Sequence, residues 1–230
     1  MSAAYYQGES RFYVAIDCII LGFNGQDLDI LLYRRKFEPM QGQWSLMGGF
    51  VKENESVDEA ASRVLSDCSG IDHVYMEQVG AYGEINRDLG ERVISVAYYA
   101  LVNMDDFNPE VLKAHNAQWI KVSELPELIF DHKQMIDDAL AILRRKAATQ
   151  PIGFKLLPER FTLPQLQRLY ELIYQTELDK RNFRKKLYAM DILEKLEEKD
   201  KRSSKRGAYY YTFNIEKYNK LLQQGYYFSL

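Results

Sequence analysis

Two cation-rich stretches near the C-terminus constrain the fold more than any other feature. The first runs Asp179-Lys180-Arg181-Asn182-Phe183-Arg184-Lys185-Lys186-Leu187, and the second Asp200-Lys201-Arg202-Ser203-Ser204-Lys205-Arg206-Gly207. In the first, Phe183, Leu187 and Met190 recur at i, i+4 and i+7, while Arg181, Arg184, Lys185 and Tyr188 fall on another face, the pattern of an amphipathic helix. The second joins residues 192–199 to 208–214, two runs that read as the arms of a β-hairpin. A cationic helix followed by a hairpin with a cationic tip is the layout of a winged helix gripping a nucleic-acid duplex.

Charge is distributed to match. Residues 1–150 hold 14 Lys and Arg against 23 Asp and Glu, whereas residues 151–230 hold 16 against 10. The net charge of −3 therefore hides an acidic part joined to one that seeks polyanions. Of the 16 C-terminal cations, 11 lie between Lys180 and Arg206, which is the clustering a binding surface needs. Upstream, Thr162 and Gln165 form a capping box, and Leu166, Leu169, Tyr170 and Ile173 face inward on the helix it opens. A turn at residues 175–178 then leads to Asp179, a good N-cap for the basic helix.

The N-terminal part reads as a mixture of strands and helices. Residues 12–21 and 29–35 are β-forming runs separated by Asn24-Gly25, a strong turn signal. Residues 92–102 and 117–122 read as further strands. Val57, Ala60, Ala61, Val64, Leu65 and Cys68 recur at helical spacing, which predicts a helix over 56–69. A second helix is predicted over 130–147, with Met135, Ala139, Leu140 and Leu143 inward. Pro151, Gly153 and Pro158 mark residues 148–159 as a linker, so domains are expected at 1–150 and 151–230. The expected class is α+β: an α/β/α sandwich with a mixed sheet, followed by a winged helix-turn-helix.

One motif specifies the first domain further. Gly49, Glu55, Arg63, Leu65, Gly70 and Ile71 fall in the register of the Nudix box, G-x5-E-x7-R-E-U-x-E-E-x-G-U with U aliphatic, and Trp44-Ser45-Leu46-Met47-Gly48-Gly49 resembles the strand that leads into it. Three box glutamates hold divalent metal in the enzymes this resembles, and Val64, Asp67 and Cys68 stand at those positions. Mg²⁺ wants oxygen ligands; Val64 offers none and Cys68 a soft sulfur. With two of three carboxylates missing, water activation fails. The expectation is no enzyme, no catalytic residue, no metal and no cofactor.

A degenerate Nudix domain fused to a winged helix resembles the Nudix-related transcriptional regulator family. Trp119-Ile120, the segment 125–132, the segment 154–167 and the basic helix carry the likeness beyond the box. The resemblance implies a homodimeric repressor on a palindromic double-stranded operator, released by a small metabolite in the Nudix pocket. Members resemble controllers either of NAD metabolism, with ADP-ribose-type effectors, or of sugar catabolism, and this chain looks closest to the arabinose-responsive branch. Physical reasoning leans the same way: a diphosphate needs its charge neutralised, whereas a neutral polyol needs only convergent hydrogen-bonding groups and an apolar wall. Asp17, mid-strand among apolar residues, either meets a structural donor or accepts hydroxyls from a sugar. Arg34, Arg35, Trp44, Tyr82, Glu84 and Asp88 are further candidates for the effector site.

For DNA, Lys180, Arg181, Asn182, Arg184 and Lys185 are expected at the duplex. Arg181 and Asn182 sit at the helix N-terminus, where backbone N–H groups favour phosphate. Lys201, Arg202, Ser203, Ser204, Lys205 and Arg206 suit the minor groove or the backbone. Which of these touches a base is not set by spacing. Residues 218–230, with Tyr226, Tyr227 and Phe228, pack either within the chain or against a second subunit. Cys18 and Cys68 lack metal or disulfide spacing and read as reduced core thiols. No apolar run approaches membrane-spanning length and residues 1–10 lack a signal peptide pattern, so the expected location is cytoplasmic. A Nudix pyrophosphohydrolase with an appended domain and a scaffold or RNA-binding module are the competing readings.

Overall fold

β1 (Tyr13–Phe23) is the strand on which the architecture turns, because successive side chains serve opposite layers. Ile16, Cys18 and Ile20 join one apolar cluster with Ala60, Ala61, Val64 and Leu65 of α1 (Val57–Ser69). Ile19, Leu21 and Phe23 join another with Met135, Ile136, Ala139, Leu143 and Ala147 of α3 (His132–Thr149). The computed structural model describes residues 8–69, 74–107, 109–201, 207–226 and 228–230. Among these, β1 shares a seven-stranded mixed sheet with β2 (Leu28–Arg34), β3 (Trp44–Ser45), β4 (Met47–Phe50), β5 (Tyr75–Tyr82), β6 (Val93–Val102) and β7 (Ala117–Lys121). The order is β3-β2-β1-β6-β5, with β4 on β1 and β7 on β2, and β1 runs parallel to β6. The sheet thus lies between helical layers, as the sequence predicts.

Beyond it, α4 (Leu163–Tyr174) and α5 (Lys180–Met190) form the helix-turn-helix, and β8 (Phe161–Thr162), β10 (Ala208–Phe213) and β9 (Leu193–Asp200) make a three-stranded sheet in that order. Thr162 and Gln165 close the predicted capping box, and Asp179 Oδ1 caps α5 by accepting from the Asn182 N–H at 2.8 Å. Gln175 takes the left-handed conformation that ends α4 and starts the turn. A winged helix therefore follows the sandwich, and the fold class is the one expected.

Several elements differ from expectation. The strand β5 and the helices α2 (Pro109–Ala114) and α6 (Ile215–Gln223) were not anticipated. The helix predicted from residue 130 begins at His132, because Phe130 has φ of 50° and cannot belong to it. The stretch read as a linker is packed: Ile152, Leu156 and Leu157 are buried in the cluster that also holds Ile19, Ala139, Leu166 and Phe183. Phe228 is buried there too, its ring 6.2 Å from Tyr170 and 6.3 Å from Phe154, so this part of the C-terminal segment packs within the chain. No described helix is long and apolar enough to cross a membrane.

Candidate functional site

Asp17 sits on the α3 side of β1 with only 7% of its surface exposed. Its carboxylate accepts a 2.6 Å hydrogen bond from Ser95 Oγ, on the parallel neighbour β6. Arg87 Nη2 lies 3.7 Å away and His132 Nε2 3.6 Å away. Gly48, its partner in the β1–β4 register, leaves the space: a Cβ there would come within 2.6 Å of Asp17 Oδ1. Of the two roles open for Asp17, a set of structural donors is present.

Arg87 is the centre of this cluster. Its Nε and Nη2 donate to Asp131 at 2.8 and 2.7 Å, a bidentate pair just before α3. Burial works against the Arg87 charge, but the Asp131 hydrogen bonds and charge outweigh it and raise its pKa. Burial also lowers the pKa of His132, against the pull of Asp17. The Leu46 N–H donates to His132 Nδ1 at 3.1 Å, so the neutral ring carries its proton on Nε2, facing Asp17.

Two cavities meet at Arg87 and Phe130. The larger, about 1130 Å³, opens between α3 and the β5 end, lined by Tyr82, Glu84, Gln134, Asp138 and Arg145 among others. The smaller, about 90 Å³, is lined by Asp17, Asp88, Tyr33, Arg35 and Phe37 among others. Five of the seven effector candidates are thus brought together: Tyr82 and Glu84 in the larger cavity, Asp17, Arg35 and Asp88 in the smaller. Tyr82 donates to Asp138 at 2.8 Å, and burial with that carboxylate raises its pKa.

Arg34 and Trp44 line neither cavity. They pair across β2 and β3, with the guanidinium 4.2 Å from the indole centroid and Nη1 donating to the Gly42 carbonyl at 2.9 Å. The physical reason is strand alternation: Tyr33 and Arg35, on the other side of the chain, line the small cavity instead. Sequence reasoning also missed Arg87, Asp131, His132 and Arg145. The spacing of Asp131, Gln134, Asp138 and Arg145 along one helical stripe is the signal that was available.

The Nudix loop has its own lock. Glu55 accepts from the Lys52 N–H at 2.8 Å and pairs with Arg63 at 2.6 Å, and Arg63 also donates to the Phe50 carbonyl at 3.0 Å. The Arg63 hydrogen bond, then the Lys52 backbone bond, lower the Glu55 pKa to about 2. Val64 is 3% exposed within the α1 cluster, and Asp67 lies 3.6 Å from Arg63 Nη1. Gly70 and Ile71 lie outside the described residues, as does the side chain of Cys68. Among the described residues no group of three or more His, Cys, Asp or Glu is arranged to hold a metal ion.

On α5, Phe183 and Leu187 are buried beneath the helix, while Lys180, Arg181, Asn182 and Lys185 are exposed. Arg184 is half-buried and turned toward β10. Lys201 is exposed at the end of β9, and Arg202, Ser203, Ser204, Lys205 and Arg206 lie outside the described residues. Lys195 and Lys199 place their ammonium groups 3.6 and 4.3 Å from the Tyr209 ring centroid, adding a cationic stripe to the hairpin.

Residues 11–139 match the NUDIX domain family, and residues 153–213 match the NrtR DNA-binding winged helix domain. A relative from Acinetobacter baylyi, described as the ADPR responsive transcriptional repressor NtrR, is 30% identical over 90% of this chain and 84% of its own length. The chain belongs to the NrtR family of Nudix-domain proteins. Its structure is similar to Shewanella oneidensis NrtR complexed with a 27mer DNA, with a TM-score of 0.79, 27% identity, and 94% of this chain and 97% of that one covered. The NUDIX domain of Shewanella oneidensis NrtR complexed with ADP ribose is similar at a TM-score of 0.51 and 26% identity, covering 61% of this chain and 95% of that one. These likenesses do not support the arabinose-responsive branch expected from the sequence.

Proposed function

We propose that this protein is a transcriptional repressor that binds a palindromic DNA operator as a homodimer. Its Nudix domain senses an ADP-ribose-class nucleotide without hydrolysing it. The observation that carries this reading is the full-length likeness to the DNA-bound Shewanella NrtR, spanning both the Nudix domain and the winged helix. The ADP-ribose complex of that protein's Nudix domain supports the effector class.

The cleft offers what such a ligand needs. It is large enough for a nucleotide. Arg35 and Arg145 have no carboxylate at ion-pair distance among the described residues, and they supply the counter-charge for a diphosphate that the sequence argument assigned to a metal. Phe37 and Phe130 give a base two aromatic faces, with Arg35 already 4.4 and 5.7 Å from their centroids. The Nudix helix does not fit a metal clamp: Val64 has no donor and sits in the core, and Glu55 is committed to Arg63. Both support sensing over hydrolysis.

Coupling runs through α3. Its outer face walls the cleft with Gln134, Asp138 and Arg145, and its inner face packs in the cluster that holds α4. Near its C-terminus, Arg144 Nε donates to the Ile173 carbonyl at 3.1 Å and the Ala147 carbonyl accepts from Tyr174 Oη at 2.9 Å. A nucleotide that shifts α3 shifts the end of α4, and with it the turn that aims α5.

The test is anisotropy of a labelled duplex selected by the full chain from a randomised pool. ADP-ribose is expected to release the duplex and L-arabinose to have no effect, with no phosphate-containing product formed from ADP-ribose in Mg²⁺. Release by arabinose alone, or steady Mg²⁺-dependent turnover, would overturn the reading.

A further inference from the structure

The face of α5 that turns toward the hairpin carries its own cavity. Lys180, Arg184 and Tyr188 follow one another at i, i+4 and i+8 and face Ala208, Tyr209 and Tyr211 across a notch of about 480 Å³. No carboxylate lines this notch, and among the described residues no acid lies at ion-pair distance from Lys180 or Arg184. Asp179, the acid next to it on the helix, is used as the N-cap.

Two hydrogen-bonding groups in the notch are incomplete. Arg184 Nε is buried and has no partner among the described residues, an arrangement that costs stability unless an acceptor arrives. Tyr188 and Tyr211 place their hydroxyls 3.2 Å apart. That contact uses one of their two protons, so the other points elsewhere. The missing partner is therefore an anionic acceptor with several oxygens, small enough for the notch and able to take a guanidinium, an ammonium and a hydroxyl together.

We infer that the notch between α5 and β10 seats one phosphate group, which the DNA backbone supplies when the duplex is bound. Arg184 then positions the helix on the backbone, and base edges are left to the exposed Arg181, Asn182 and Lys185. The backbone as source rests on the repressor reading above; the phosphate chemistry does not.

The experiment compares the wild-type chain with Arg184→Gln and Tyr188→Phe, with a retained thermal unfolding transition as the folding control. Affinity is measured against a selected duplex and a scrambled duplex of equal length over a range of NaCl. In parallel, stabilisation by inorganic phosphate is measured against chloride at equal ionic strength. For Arg184→Gln, a phosphate seat predicts a loss on the order of tenfold on both duplexes alike, with the salt slope reduced by about 1. Tyr188→Phe should lose less, also without regard to sequence. If the wild-type chain binds no duplex but inorganic phosphate stabilises it and not Arg184→Gln, the repressor reading fails and the seat stands as a site for free phosphate. If the wild type binds duplex while Arg184→Gln keeps its affinity and slope, or loses only discrimination between the two duplexes, the seat is overturned and the repressor reading survives. Absence of both duplex binding and phosphate stabilisation removes both.

Discussion

Arg87 holds Asp131 by two hydrogen bonds, of 2.8 and 2.7 Å, across 44 residues of sequence. The pair closes the floor of the cleft over Asp17 and orients the start of α3. Removing the guanidinium leaves two carboxylates crowded together without their counter-charge. Arg87→Ala is expected to cost about 3–5 kcal/mol in urea denaturation, and Arg87→Lys less, since it keeps the charge but not the fork. A loss below ~1 kcal/mol would mean that the pair behaves as a solvated surface contact.

The buried His132 makes stability depend on pH. Its folded pKa lies below the ordinary 6.5, so in that interval the unfolded chain binds a proton that the folded chain refuses. The contribution is complete above 6.5 and is lost as pH falls from there toward the folded value, with a slope of at most about 1.4 kcal/mol per pH unit. His132→Gln should flatten this part of a denaturation profile. An unchanged profile would place the titration elsewhere.

Gly48 has no room for a side chain: a Cβ would lie 2.6 Å from Asp17 Oδ1 and 2.8 Å from the Ile16 carbonyl. Gly48→Ala should cost roughly 1–3 kcal/mol and weaken effector binding by displacing Asp17. Calorimetry with ADP-ribose checks this. Unaltered affinity would show that Asp17 has no part in shaping the cleft.

Arg144 and Tyr174 test the route between the cleft and the winged helix. Arg144→Ala combined with Tyr174→Phe removes both bonds between α3 and the end of α4. DNA affinity without effector should persist, while the factor by which ADP-ribose weakens it shrinks toward one. By linkage, DNA must weaken ADP-ribose binding by the same factor, so either titration reads the coupling. Full release in the double variant would move the coupling to other contacts.

Periodicity made much of the fold legible. The 3.6-residue stripes of α3 and α4 and the capping box at Thr162 appear where the sequence places them. β5 was missed because its side chains are mostly half-buried on both sides, which erases the alternation. α6 was missed because it buries none of its residues. In the cleft, Tyr82, Glu84, Asp17 and Asp88 were legible as polar groups in or between apolar runs. Arg87 was not, because it reads as one more charge in a turn until the fold brings Asp131 to it. Arg34 and Arg35 were both candidates and only Arg35 lines a cavity, because strand parity shows which side a residue takes only once the neighbouring strand is known.

The eighteen residues of α3 have a wet side and a dry side. The wet side walls the cleft proposed to take the nucleotide, and the dry side packs in the cluster that also holds the helix-turn-helix. In the proposed coupling, a displacement at one flank is passed to the other by the packed side chains between them. Regulation here should therefore be sensitive to single methyl groups along the dry flank, at Ala139 and Ala147, which are fully buried and outside the lining of the cleft.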